Sequence, residues 1–138
     1  MRFRPYLPLL LAACAKAPDA EARLAARRIS LGLPSEPLPL AEAMRQMGVK
    51  AYEALLARVG SRRLTEEEVL DAAVEIETLL ARAVGPPDPP GFDPLLARSR
   101  TLARALALAV AQGKRGDAEA RELLASCMDC HVIFRKPR

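Results

Sequence analysis

Close to the C-terminus, the residues Cys127-Met128-Asp129-Cys130-His131 spell C-x-x-C-H and include the only histidine of the chain. The pattern is the attachment sequence of a covalent c-type haem. On a helix, positions i, i+3 and i+4 share a face, so Cys127, Cys130 and His131 point the same way. Two thiols on that face can form thioethers to the haem edge while the imidazole binds iron from one side. One motif thus constrains fold, cofactor and chemistry together.

Competing readings of these cysteines fit less well. A redox-active C-x-x-C places its first cysteine at a helix N-terminus, where the dipole lowers the thiol pKa. Here the pair lies near the end of a periodic segment, where the dipole opposes a thiolate. A structural zinc site needs four Cys or His ligands, and beyond the motif only Cys14 remains. A disulfide across two intervening residues of a helix is strained.

The N-terminus agrees with a haem attached outside the cytoplasm. Met1-Arg2-Phe3-Arg4 is a positive n-region, Tyr6 to Leu11 a short apolar run, and Ala12-Ala13 small residues before Cys14, which together read as an export signal over residues 1–13. The run is too short to span a bilayer as a helix. Leu11-Ala12-Ala13-Cys14 also resembles a bacterial lipobox, in which the cysteine becomes the acylated first residue. All three cysteines then have a use, two for haem and Cys14 for a lipid anchor to the membrane. An ordinary signal cleaved elsewhere, or a misassigned start, is the competing reading.

Removing the signal leaves roughly 125 residues, enough for one domain with one core. Aromatic content is 4% with no Trp, while Ala, Leu, Arg and Glu dominate, which favours helix and an all-α fold. The net charge of +4 falls to about +2 without Arg2 and Arg4, and two haem propionates would roughly cancel it. No basic cluster interleaves with aromatics, so nucleic acid is not an expected partner.

Four helical segments emerge between strong breakers. The first follows Pro39, with Leu40, Met44, Met47, Ala51 and Leu55 on one stripe, flanked by Tyr52, Leu56 and Val59, and stops at Gly60. The second opens on the capping-box pattern Thr65-Glu66-Glu67-Glu68, carries Val69, Ala73, Ile76, Leu80 and Ala83, and ends at Gly85. Pro86-Pro87-Asp88-Pro89-Pro90-Gly91 predicts a stiff, extended connection. The third segment carries Leu95, Ser99, Leu102, Leu106 and Val110, up to Gly113. The fourth starts after Asp117, with Ala120, Leu124, Cys127, His131 and Phe134 on its inner stripe. Residues 14–38, rich in Ala and Arg and broken by Gly32, Pro34 and Pro37, read as a membrane-proximal tether. A fifth short helix packed on the domain is the alternative.

Four helices with short connections tend to pack antiparallel, up-down-up-down, over residues 39–138. The start of the first helix then shares an end of the bundle with the finish of the last, where haem must lie. Met44 sits in nearly the layer of His131, and Met47 one turn deeper. A methionine sulfur is a soft ligand suited to the second axial position, although methionine on an apolar stripe also serves as core filler.

The run Cys127-Met128-Asp129-Cys130-His131-Val132-Ile133-Phe134-Arg135-Lys136 resembles the C-x-x-C-H-x-x-aromatic-Arg-Lys signature of the cytochrome c′ family, the class II c-type cytochromes. The resemblance implies a four-helix bundle with one covalent haem c near the C-terminal end of the last helix. Class I cytochromes carry the motif near the N-terminus, so its position separates the classes. Family members with an apolar residue at one place on the first helix leave iron open to nitric oxide or carbon monoxide. Low-spin relatives put a methionine there and carry electrons. Met44-Arg45-Gln46-Met47-Gly48 resembles that methionine-bearing helix, with Met44 matching the ligand. The prolines before this helix depart from the family and leave Met47 as the alternative. Arg135 matches a basic residue on the haem's proximal side, able to pair with a propionate; a solvated C-terminal arginine is the competing reading.

The expectation is therefore an exported, periplasmic or outer-face cytochrome, lipid-anchored and serving redox partner proteins of a respiratory chain. Five-coordinate binding of nitric oxide or carbon monoxide is the alternative, and a haem subunit of a larger membrane-associated enzyme a weaker one. No second histidine and no nucleophile paired with a base are present, so turnover as an enzyme is not expected. Many relatives pair two subunits through their first two helices, which makes a homodimer an open expectation.

Overall fold

A computed structural model describes residues 19–59 and 64–134 of the chain. The expected export signal, Cys14 and Arg135 lie outside the described residues. As the composition predicts, the fold is mostly helical, with little strand. In chain order come α1 (Ala20–Ser30), β1 (Leu38–Pro39), α2 (Leu40–Val59), α3 (Glu66–Arg82), β2 (Ala83–Val84), α4 (Phe92–Ala111) and α5 (Asp117–Phe134). No helix among the described residues is long and apolar enough to cross a membrane.

Local chemistry sets the helix ends. The Glu68 N–H donates to Thr65 Oγ1 at 3.2 Å, and the Thr65 N–H donates to the Glu68 carboxylate at 2.8 Å, closing the capping box of α3. Helix α5 begins at Asp117 itself, not after it. The turn before it is made by Gly116 at φ +74°, where an added Cβ would stand 2.9 Å from Leu106 Cδ1, so both backbone and space demand glycine. Helix α2 is interrupted at Gly48, whose φ of 58° and ψ of −169° are not helical. The interruption falls directly after the segment bearing Met44 and Met47.

The helices close a ring of contacts, with α2 against α3, α3 against α4, α4 against α5, and α5 against α2. Leu70, Val74, Leu79, Leu106 and Leu123 are central to the core they enclose. The expected Ser99, Leu106 and Val110 of α4 and Ala120 of α5 are buried. The buried faces are wider than the expected stripes: Leu96 and Ala103 lie deeper than Leu95 and Leu102, and Leu123 deeper than Leu124. The small side chains Ala103 and Ala107 let neighbouring helices approach closely.

Residues 20–30 follow the alternative reading, a short helix packed on the domain, in place of a tether. They form α1, packed on α3 and α4, with Leu24 wholly buried. Ala20 packs on the core beside it, and around these apolar contacts lies a set of charged pairs. Arg27 meets Asp71 and, at 2.8 Å, Glu67; Arg28 donates to Glu77 at 2.8 Å; Arg104 reaches Glu77 at 3.2 Å and also Glu21. Glu77 is nearly buried and takes two guanidinium groups, so its charge is matched where water is scarce. Opposite charges brought together from distant parts of the chain fix a segment whose own sequence looks polar. Strands β1 and β2 pair in parallel, Leu38 with Ala83 and Pro39 with Val84, tying the entry of α2 to the exit of α3.

Candidate functional site

Helices α2, α3, α4 and α5 together wall an apolar cavity of about 170 Å³. Cys127, Cys130 and His131 face it from α5, Met44, Met47 and Gly48 from α2, Ile76 and Leu80 from α3, and Phe92, Leu96 and Ser99 from α4. It adjoins a groove of about 510 Å³, bordered by Pro39, Met44, Val84, Pro86, Phe92, Cys130, His131 and Phe134. Met44, Cys130 and His131 border both spaces, whereas Met47 and Cys127 border only the inner one. The C-x-x-C-H motif and the two methionines, about eighty residues apart in sequence, thus meet on one cavity.

Several contacts hold α5 in place beside α4. The Phe92 and Phe134 rings stack with centroids 3.7 Å apart and planes 21° apart, at the start of α4 and the end of α5. Deeper in, the Ser99 and Ser126 hydroxyls share a buried hydrogen bond of 2.8 Å. Arg98 and Asp129 form an exposed pair at 3.4 Å. These contacts orient the helix face that carries the motif.

The cysteines are not bridged to each other. Burial, reinforced by the neighbouring Cys130, pushes the Cys127 thiol up to about 11, and burial also raises Cys130. At neutral pH this burial keeps the Cys127 thiol protonated. A dithiol catalyst needs a depressed value, so the shift opposes that reading. His131 is exposed as a residue while its imidazole borders both spaces, and Met44 is 36% exposed. No family model, no curated protein and no solved structure matches this chain. Its function must be read from its own residues.

A bare metal ion and a haem make different demands on such a site. Among the described residues no three His, Cys, Asp or Glu side chains stand close enough to hold an ion. Haem supplies its own equatorial nitrogens and asks the protein for axial ligands, an apolar slot and, in the c-type, two thiols. One imidazole, two thioethers and two thiols bordering an apolar space are a donor set of that kind. Phe92 and Leu96 were not singled out from sequence. The aromatic at the start of α4, opposite the expected inner residue Phe134, was the available signal for Phe92.

Proposed function

We propose that the chain is an exported monohaem c-type cytochrome that carries electrons, built as an antiparallel up-down-up-down four-helix bundle of the cytochrome c′ kind. The observation that carries this reading is the convergence of Met44, Met47, Cys127, Cys130 and His131 on one apolar cavity. Cys127 and Cys130 would hold haem c covalently near the C-terminal end of α5, and His131 would bind its iron. Met44 would be the second protein ligand, because it alone of the two methionines borders both the cavity and the groove shared with His131; Met47 is the alternative. Haem iron, when bound, supplies a one-electron couple. The residues around it keep water out with Ile76, Leu80, Phe92 and Leu96, and keep α5 fixed through Phe134 and Ser126. A methionine that stayed bound in both oxidation states would limit rearrangement during transfer. Arg135 is proposed to pair with a propionate, and Cys14 to bear lipid that holds the protein on the outer side of the cell membrane beside its respiratory redox partners.

The test is visible and near-infrared absorption of the haem-loaded protein, oxidised and reduced, with and without carbon monoxide, alongside Met44→Ala and Met47→Ala. A low-spin spectrum with a methionine-to-iron band, resistant to carbon monoxide and lost in Met44→Ala, is the expected result. A high-spin spectrum that shifts at once with carbon monoxide would replace electron carriage by gas binding.

A further inference from the structure

We infer that Gly48 is a positioning residue: its break in α2 uncouples residues 40–47 from the rest of the helix, and so lets that arm present Met44 to the cavity and groove apart from Met47. The inference rests on the proposed haem and deepens that reading by naming what selects the methionine ligand.

The backbone at Gly48 stands at φ 58° and ψ −169°, far from the helical values of about −63° and −42°. A positive φ with ψ near 180° is open to glycine and essentially closed to residues that carry a side chain. Space is not the constraint, because a Cβ added at Gly48 would meet nothing within 4 Å. Glycine is needed here for conformation alone. Such a conformation persists when the structure on either side holds it.

Both sides supply a hold. Ahead of the break, Leu38 and Pro39 pair with Ala83 and Val84, and Leu40 and Ala43 are buried. After it, Ala51, Ala54 and Leu55 are buried. Arg45 and Gln46 both reach Glu42, so these polar contacts stay within the arm. Each half of α2 thus has its own purchase on the core.

In an unbroken helix Met47 and Ala51, four residues apart, would share a face, and Met44 would follow two turns from Ala51 on the same stripe. The break removes that fixed phase. Met47 packs partly buried against the core and borders the inner cavity, whereas Met44 is exposed and borders cavity and groove alike. Two methionines that an unbroken stripe would carry together therefore have different surroundings.

Gly48→Ala tests the role without adding a clash. Alanine favours the helical backbone and disfavours the observed one, so the balance should move toward an unbroken helix on the order of a hundredfold. In the haem-loaded full chain, the methionine-to-iron absorption band should fall several-fold, and what remains should no longer be lost when Met44→Ala is added. Gly113→Ala changes another glycine of positive φ with open space around it, one that borders neither the cavity nor the groove, and should leave the band in place. A band of unchanged strength in Gly48→Ala, still lost with Met44→Ala, would overturn the role of Gly48 and leave the haem reading intact. A wild-type chain that binds haem without any such band would overturn methionine ligation, and the selection by Gly48 with it. Amide hydrogen exchange of the haem-free wild-type full chain reads the uncoupling by itself, even where Gly48→Ala fails to fold. Residues 44–47, a full turn into α2, should exchange at least tenfold faster than residues 52–55. Equal protection of the two sets, lost together in denaturant, would overturn the uncoupling.

Discussion

The two ends of this helical fold treat apolar surface differently. Toward the Ala111 end, Leu70, Val74, Leu106, Val110 and Leu123 pack on one another, and α1 seals the outside with arginine–carboxylate pairs. Toward the Phe92 end, Leu40, Met44, Ile76, Leu80 and Leu96 face a cavity, and Val84, Met128, Val132 and Ile133 stand exposed around the last turns of α5 and the exit of α3. The same alternation of apolar and polar residues builds both ends. The difference is that one end packs on itself, whereas the other borders a cavity with apolar walls beside Cys127, Cys130 and His131.

That contrast is most sharply tested by truncating one leucine at each end. Leu123 is fully buried in the closed part, so Leu123→Ala is expected to cost about 4–5 kcal/mol, the upper range for a cavity that cannot collapse. Leu96 is also well buried but borders existing empty space, so in the haem-free chain Leu96→Ala should cost less, about 2–3 kcal/mol. Urea unfolding of both variants, with and without haem, provides the measurement. Haem should raise the cost of Leu96→Ala toward that of Leu123→Ala. Equal costs in the haem-free chain would mean that the two ends are packed alike.

How much was legible in the sequence follows the range of the forces involved. The capping box at Thr65, the breaks at the Pro86–Gly91 stretch and at Gly113, and the α3 stripe of Val69, Ala73, Ile76 and Leu80 are local, and they are found where spacing puts them. The motif face was likewise written within five residues. Three features were not decided by local pattern. The docked helix α1 stood only as the alternative to a tether, because the partners that hold it, among them Asp71, Glu77 and Arg104, lie some forty to eighty residues away, and no local pattern announces such pairs. The interruption at Gly48 needs a positive φ that a glycine permits but does not require. Which of the adjacent leucines Leu95 and Leu96, or Leu123 and Leu124, lies deeper was undecided because both fit helical spacing equally.

A smaller effect of the contrast lies in the alkaline range. Burial first, and then Cys130, raise Cys127 from 9.0 to about 11 in the folded chain. A raised value means that the fold favours the protonated thiol. The associated stability is complete below about pH 9 and is lost as pH rises through about 11, an amount on the order of 2–3 kcal/mol. Haem-free protein should therefore weaken in urea between about pH 8 and about pH 11 more than haem-free Cys127→Ala does. Thioether sulfurs carry no proton, so the haem-loaded protein should not show this loss. A pH dependence unchanged by haem would mean that Cys127 is not bonded to it.

The smallest expected effect concerns the hydrogen bond that sets α5 against α4 at the boundary between the two ends. Ser99 and Ser126 are both buried, with their hydroxyls 2.8 Å apart, and Ser99 also borders the cavity. Ser126→Ala leaves the Ser99 hydroxyl without that partner and should cost about 1–2 kcal/mol. The double change to alanine removes both polar groups and should recover part of that loss, because no buried hydroxyl is then left unpaired. If the pair also fixes the angle at which the motif faces the cavity, the double variant in its haem-loaded form should keep its stability yet shift the absorption of the methionine-to-iron band. Recovery of both stability and spectrum would assign the pair to packing alone, and the positioning of His131 to the stacked rings of Phe92 and Phe134 one turn further out.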